Sequence, residues 1–226
     1  MARPEGVKLV LASGSPRRTQ ILSEAGIMLE VFPATIDEDT FLDKSGELIQ
    51  AVRELALAKA LFVAELRPAE YVLGADTIVI FENEILGKPE SSQQAVEMLR
   101  QLSGQQHTVV TGVAVVNPVG ETRTKYVSTS VIFRSLNDDE ITEYVSSGLP
   151  FDKAGSYGIQ DSSFAPVASY DECYLNVVGL PMCATSELLE QSEFVTVGAI
   201  GCNGHSAHSI ADFGYFDGSA NTGLLK

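Results

Sequence analysis

Eleven consecutive residues, Tyr71-Val-Leu-Gly-Ala-Asp-Thr-Ile-Val-Ile-Phe81, constrain what this chain can fold into more than any other stretch. A nearly continuous apolar run of strand length is expected where both faces of a sheet are covered, as in an α/β layer. Asp76 interrupts the run. A carboxylate in such a place needs a cation, a metal or hydrogen-bond donors, or it must keep its proton, because an unpaired buried charge is strongly destabilising. The alternatives are a core aspartate bonded to backbone amides and a functional carboxylate. Gly74 allows another backbone to come close and Thr77 adds a polar partner, which favours the functional one.

A second stretch runs from a strand into a helix. Residues 7–12 read as the strand, and Ser13-Gly-Ser-Pro-Arg-Arg18 turns the chain into a helix that stops at Gly26. Ser15 suits the N-cap and Pro16 the first helical position. With the open N–H groups of the turn, Arg17 and Arg18 form a cradle for an anion such as phosphate. The same residues also suit an ordinary capped helix with solvated arginines, and the Gly-x-x-x-x-Gly-Lys-Ser/Thr spacing is absent.

Between and beyond these stretches the pattern alternates. Leu29 to Pro33 is expected to be extended and leads to Asp37-Glu38-Asp39, read as a solvated loop or as the source of one carboxylate facing a metal-bound phosphate. About Glu47 to Leu66 is a helix with Leu48, Val52, Leu55 and Phe62 near one stripe and Lys59 on that stripe. From the residues alone, Lys59 is expected to snorkel out along its own methylenes. Glu82-Asn-Glu84 reads as a hairpin turn, Leu86-Gly-Lys-Pro89 carries Lys88, and Ser91 or Ser92 caps a helix ending at Gly104. His107 to Val116 and Thr124 to Phe133 read as paired strands joined through Asn117-Pro-Val-Gly120, with His107 structural. A helix over Asn137 to Ser147 stops at Gly148. Phe151 to Gln160 then reads as a binding loop holding Lys153, in which Gly155 and Gly158 bring backbone N–H groups to a ligand and Gln160 reads a base edge or holds a water. The segment around Pro166 is expected at a sheet edge. The last helix covers about Met182 to Gln191, and a glycine-rich, irregular tail follows.

Composition narrows the function classes. With 226 residues, 45% hydrophobic and 20% charged, the chain can form one large domain or two lobes with a real core. No apolar run approaches the roughly 20 residues of a membrane span, and the first residues lead into a strand rather than a signal-peptide core, so a cytoplasmic protein without a membrane partner is expected. Three cysteines, Cys173, Cys183 and Cys202, form no Cys-x-x-Cys pair and suggest neither a disulfide framework nor structural zinc. His205-x-x-His208 is a weak metal candidate in so glycine-rich a tail. The net charge of −15 argues against a nucleic-acid polymer as partner but not against a small phosphorylated ligand.

Taken together, Ala12-Ser-Gly-Ser-Pro-Arg-Arg18, Gly74-Ala-Asp-Thr-Ile-Val79, Gly87-Lys-Pro89, Leu102-Ser-Gly104, Thr111-Gly112, Asp152-Lys-Ala-Gly-Ser-Tyr-Gly-Ile-Gln160 and Asn176-Val-Val-Gly-Leu-Pro181 resemble one family. It is the Maf-like nucleoside triphosphate pyrophosphatases, first named for a septum-formation phenotype, and the match covers roughly residues 7 to 190. The resemblance implies an α/β, inosine-triphosphatase-like fold: an elongated mixed sheet flanked by helices, with two lobes around a cleft within residues 1–192; the glycine-rich tail of residues 193–226 is unusual for the family. The resemblance also implies a homodimer and a divalent metal, Mg2+ or Mn2+. By motif, Ser13, Arg17 and Arg18 bind phosphate, with Ser15, Thr77 and Lys153 also on the substrate side. Lys59, Lys88 and Gln160 line the same cleft, and Glu38 and Asp76 hold metal or activate water. On this reading Lys59 points inward instead of snorkelling, and Asp76 is the general base. Ala75-Asp-Thr77 and Tyr157-Gly-Ile-Gln160 resemble the branch acting on dTTP and UTP rather than the one acting on 7-methyl-GTP. Asp161-Ser-Ser-Phe-Ala-Pro-Val167 departs from the glycine-richer link usual in the family.

Two rival functions remain at this level. One is a regulatory module of cell division that binds nucleotide without turnover, for which the acidic residues would have little use. The other is a dinucleotide-binding oxidoreductase, weakened by the absence of Gly-x-Gly-x-x-Gly after the first strand.

Overall fold

The computed structural model describes residues 8–42, 48–194 and 208–209. Its strands are β1 (Leu9–Leu11), β2 (Leu29–Val31), β3 (Tyr71–Phe81), β4 (Glu84–Leu86), β5 (Gln106–Val116), β6 (Thr122–Phe133), β7 (Val167–Tyr170) and β8 (His208–Ser209). The helices are α1 (Pro16–Glu24), α2 (Asp39–Leu42), α3 (Leu48–Leu66), α4 (Ser92–Leu102), α5 (Asp138–Ser146), α6 (Tyr174–Val178) and α7 (Met182–Gln191). The strands form one mixed sheet in the order β2-β1-β3-β5-β6-β7-β8, with β4 paired to β3. The architecture is therefore the mixed α/β class expected. The chain divides into two compact units, the first made of Met1–Thr77, Val110–Ser128 and Leu175–Cys202, the second of Ile78–Val109, Thr129–Tyr174 and Asn203–Lys226.

In the first unit β1 pairs in parallel with β2 and with β3, so Leu9 lies opposite Leu29 on one side and Tyr71 on the other. Val10 of β1, Ala12 just after it and Val72 of β3 share a buried cluster with Ala56, Ala60 and Val63 of α3. The alanines let helix and sheet come close, and two glycines let them touch. A Cβ added at Gly74 would lie 2.2 Å from the Ala56 carbonyl oxygen, and one at Gly112 would lie 2.5 Å from that of Val52. Any side chain at either position would lift α3 off the sheet.

In the second unit β4 folds back on β3 through Glu82-Asn83, whose φ values of 48° and 67° are those of a two-residue hairpin. Ser91 caps α4, accepting from the Gln94 N–H at 3.2 Å, and Asn137 with Glu140 forms a reciprocal capping box on α5. His107, Phe133 and Tyr157 pack edge to face, and His107 Nε2 lies 2.7 Å from the Tyr157 hydroxyl, which makes His107 structural as expected.

Two expectations are corrected here, and two elements are added. The short helices α2 and α6 are additions to the sequence reading, being too brief to show periodicity. Pro166 sits immediately before β7 rather than within it, and β7 is flanked by β6 and by β8, so it is not the edge strand. The tail is not wholly irregular, since His208–Ser209 pairs antiparallel with Ser169 and Tyr170. Glu47, Cys202 and His205 lie outside the described residues, as does the side chain of His208. No helix among the described residues is long and apolar enough to cross a membrane.

Candidate active site

The turn after β1 is built around a buried arginine. Pro16 opens α1, and Ser15 stands at its N-cap with extended backbone, but the Ser15 side chain makes no capping hydrogen bond, contrary to the sequence expectation. Ser13 does the organising: its Oγ accepts from Arg18 Nη1 at 2.8 Å and from the Ser15 N–H at 3.3 Å. Arg18 Nε donates to the Gly179 carbonyl at 2.8 Å and Nη2 donates to Thr77 Oγ1 at 3.0 Å. Three of the five N–H groups of the guanidinium are thus engaged, which fixes its plane. Burial lowers the Arg18 pKa, opposed by the charges of Asp76 and Glu38, and the group stays cationic. Arg17, beside it, is half-buried.

Lys59 and Asp76 meet because of the Gly74 contact. Gly74 and Asp76 point to the same face of β3. Ala56, which rests on Gly74, is one turn before Lys59 on α3, so Lys59 is delivered onto Asp76. Its Nζ lies 2.5 Å from Asp76 Oδ1 and 2.7 Å from Glu38 Oε1. The Lys59 side chain is 8% exposed and Asp76 12%, while Glu38 is 48% exposed. Lys59 therefore does not snorkel, and Glu38 is not a plain solvated loop residue. Burial pushes the Asp76 pKa up; the charge of Lys59, then that of Arg18, then the Lys59 hydrogen bond pull it back, and Glu38 pushes it up again.

This donor set suits a hard divalent cation. Glu38 Oε1 and Asp76 Oδ1 flank one ammonium, so they are at most about 5.2 Å apart by the two measured distances. Among the described residues there is no group of three or more His, Cys, Asp or Glu side chains that could hold a metal alone. Mg2+ is characteristically bound by one or two carboxylates plus substrate phosphates, not by an all-protein cage. Two carboxylates beside an arginine cradle meet that description.

The first unit thus brings together Ser13, Arg18, Thr77, Glu38, Lys59 and Asp76. Lys88, Lys153 and Gln160 belong to the second unit. Lys88 and Gln160 are exposed. Lys153 is buried, donating to the Leu149 carbonyl at 2.6 Å and to Asp152 at 2.8 Å, with Asp161 at 3.7 Å. The Phe151–Gln160 stretch is more ordered than a plain binding loop: the 3-10 turn Leu149–Asp152 runs into it and a second, Ala154–Ser156, lies within it. Its glycine N–H groups are engaged within the unit: that of Gly155 donates to the Gly87 carbonyl at 3.0 Å and that of Gly158 to the Tyr144 hydroxyl at 3.3 Å. Sequence reasoning missed Tyr144, which also bonds Asp161 and stacks on Phe164 at 3.9 Å. It also missed any role for Thr111, whose Oγ1 lies 2.9 Å from that of Thr77. Thr111-Gly112 stood among the quoted motifs, but nothing local marks a strand threonine as a polar link.

The chain matches the family described as Maf-like protein over residues 8–192. It is 45% identical over 179 residues to the dTTP/UTP pyrophosphatase of Geobacillus sp. (strain WCH70), covering 79% of this chain and 94% of that one. It is 47% identical over 183 residues to the dTTP/UTP pyrophosphatase of Moorella thermoacetica, covering 80% and 93%. Among solved structures, the nucleoside-triphosphatase / dITP/XTP pyrophosphatase of Mycobacterium abscessus is similar at 16% identity with a TM-score of 0.39, covering 57% of this chain and 76% of that one. On the match and the identities, this chain belongs to the Maf-like protein family.

Proposed function

We propose that this chain hydrolyses dTTP and UTP to the nucleoside monophosphate and pyrophosphate, with Asp76 as general base. It is a nucleoside triphosphate pyrophosphatase, the activity its relatives are named for. The observation that supports the assignment of the base is the buried Asp76 carboxylate, held 2.5 Å from Lys59 Nζ. Burial pushes its pKa up from the ordinary carboxylate range, and the charge of Lys59 pulls it back.

In the proposed reaction Asp76 takes a proton from the attacking water. The water oxygen bonds to the α-phosphorus, the bridging bond from that phosphorus to the β-phosphate oxygen breaks, and pyrophosphate leaves. Arg18, its plane fixed by Ser13, Thr77 and Gly179, meets the charge that develops on phosphate oxygens together with Arg17. Lys59 holds Asp76 and Glu38 in place. Glu38 and Asp76 would hold a divalent cation, Mg2+ or Mn2+, which when bound would supply Lewis-acid polarisation of phosphate oxygens. By motif alone, Lys88 and Gln160 are assigned with the catalytic residues and Ser15 and Lys153 with the substrate-binding ones.

The test is pyrophosphate release from dTTP, UTP, CTP, 7-methyl-GTP and the purine triphosphates, with Mg2+ and with chelator, beside Asp76→Asn. Metal-dependent release from dTTP and UTP, reduced by about 100-fold or more in the variant, is expected. Release from 7-methyl-GTP alone overturns the substrate, full activity of Asp76→Asn removes Asp76 from the chemistry, and binding without release favours a regulatory module.

A further inference from the structure

The first unit contains a chain of hydroxyl groups that the proposed chemistry does not use directly. Thr111 is wholly buried on β5. Its Oγ1 lies 3.1 Å from the Asn176 carbonyl oxygen and 2.9 Å from Thr77 Oγ1. A threonine hydroxyl has one proton. Thr77 can direct its own either to Thr111 at 2.9 Å or to the Gly179 carbonyl at 3.4 Å, and that carbonyl already accepts from Arg18 Nε at 2.8 Å. The arrangement that keeps the shorter bonds is unique. Thr111 donates to Asn176, Thr77 donates to Thr111, and Thr77 Oγ1 accepts from Arg18 Nη2 at 3.0 Å.

The Asn176 carbonyl lies in the last turn of α6 and accepts from Thr111. Gly179 follows at φ 124° and turns its own carbonyl to Arg18 Nε. One hydroxyl thus bonds Thr77 directly and, at the Asn176 carbonyl, the helix end that leads into Gly179. We propose that Thr111 is a positioning residue, whose hydroxyl ties Thr77 and the α6–Gly179 turn together and so holds the Arg18 fork in its anion-binding orientation. The catalytic consequence rests on the pyrophosphatase reading; the orientation of Arg18 does not.

Two readouts separate them. The first is exchange of the Arg18 Nε–H with water in nitrogen-15-labelled protein without nucleotide, its signal identified as the one lost in Arg18→Lys. Thr111→Val, which keeps the shape and removes the hydroxyl, should speed exchange about tenfold, and Thr111→Ser should restore slow exchange. The second is hydrolysis of dTTP. Thr111→Val should raise KM about tenfold with a smaller change in kcat, and Thr111→Ser should stay within about threefold of the parent. Slow exchange retained in Thr111→Val overturns the proposal, as does fast exchange in both variants, which would make the methyl group the operative part. If the unmodified protein releases no pyrophosphate, the functional reading fails and the exchange measurement alone decides the role of Thr111.

Discussion

Replacing Lys59 with Met keeps most of the side-chain volume and removes the ammonium, leaving Asp76 buried beside Glu38 without its nearest cation. Removing one partner of a buried ion pair typically costs about 3–5 kcal/mol, because the other charge stays behind uncompensated. For a chain of 226 residues, where 1 kcal/mol corresponds to roughly 2–4 °C in Tm, the expected loss is on the order of 6–20 °C at neutral pH. The loss must also depend on pH, with a definite sign. The folded-state pKa of Asp76 is already raised by burial, and removing Lys59 deletes two of the effects that lower it. A carboxyl with a raised folded pKa contributes fully below its unfolded pKa, 3.8, and loses that contribution as pH rises through the folded value. Lys59→Met pushes that folded value further up, so its deficit against the parent should be small near pH 4 and widen towards pH 8. Adding Asp76→Asn should recover part of the deficit, with a coupling of about 0.5–3 kcal/mol. Urea unfolding of the parent, both single variants and the double variant at pH 4.5 and pH 8 measures all of this. A deficit that does not change with pH, or additive single effects, would refute the account of Lys59 as the counter-charge of Asp76.

The remaining predictions concern packing and a second titrating group. Gly74→Ala should lower stability by about 1–3 kcal/mol, since its Cβ meets the Ala56 carbonyl at 2.2 Å and the Ala60 nitrogen at 2.8 Å. Gly87→Ala, with nothing within 4 Å of its added Cβ, should stay within about 0.5 kcal/mol, and equal melting temperatures for the two variants would contradict the close helix–strand contact. Burial lowers the His107 pKa from 6.5 to about 4, so the unfolded chain binds a proton that the folded chain refuses. Its stabilisation is present above pH 6.5 and is lost as pH falls towards 4, by up to about 3 kcal/mol. In His107→Gln that component of the acid loss should disappear from urea titrations, and an unchanged acid limb would show that His107 is protonated without penalty.

What could be read before any coordinates were known, and what could not, divides along the range of the interaction involved. The strand Tyr71–Phe81 and the helix Met182–Gln191 have the bounds their apolar patterns mark, and Pro16, Ser91 and Asn137 mark helix starts. These signals are local: backbone sterics, caps and periodicity act over a few residues and are written in order. Asp76 stood out for the same reason, a charge within an apolar run. The partners of these residues were a different matter. The stripe on α3 included Lys59 but did not say whether the ammonium turned outward or inward. Gly74 decided that by letting the helix rest on β3, a contact between residues 14 to 18 positions apart in sequence. Arg18 receives its acceptors from Thr77 and from Gly179, the latter 161 residues away, and Thr111 reaches the Asn176 carbonyl across 65. Gly155, read as a donor waiting for a ligand, has its N–H occupied by Gly87. A sequence states what each group can donate or accept; only the fold states which group it meets, because the choice among chemically equivalent partners is made by packing at a distance.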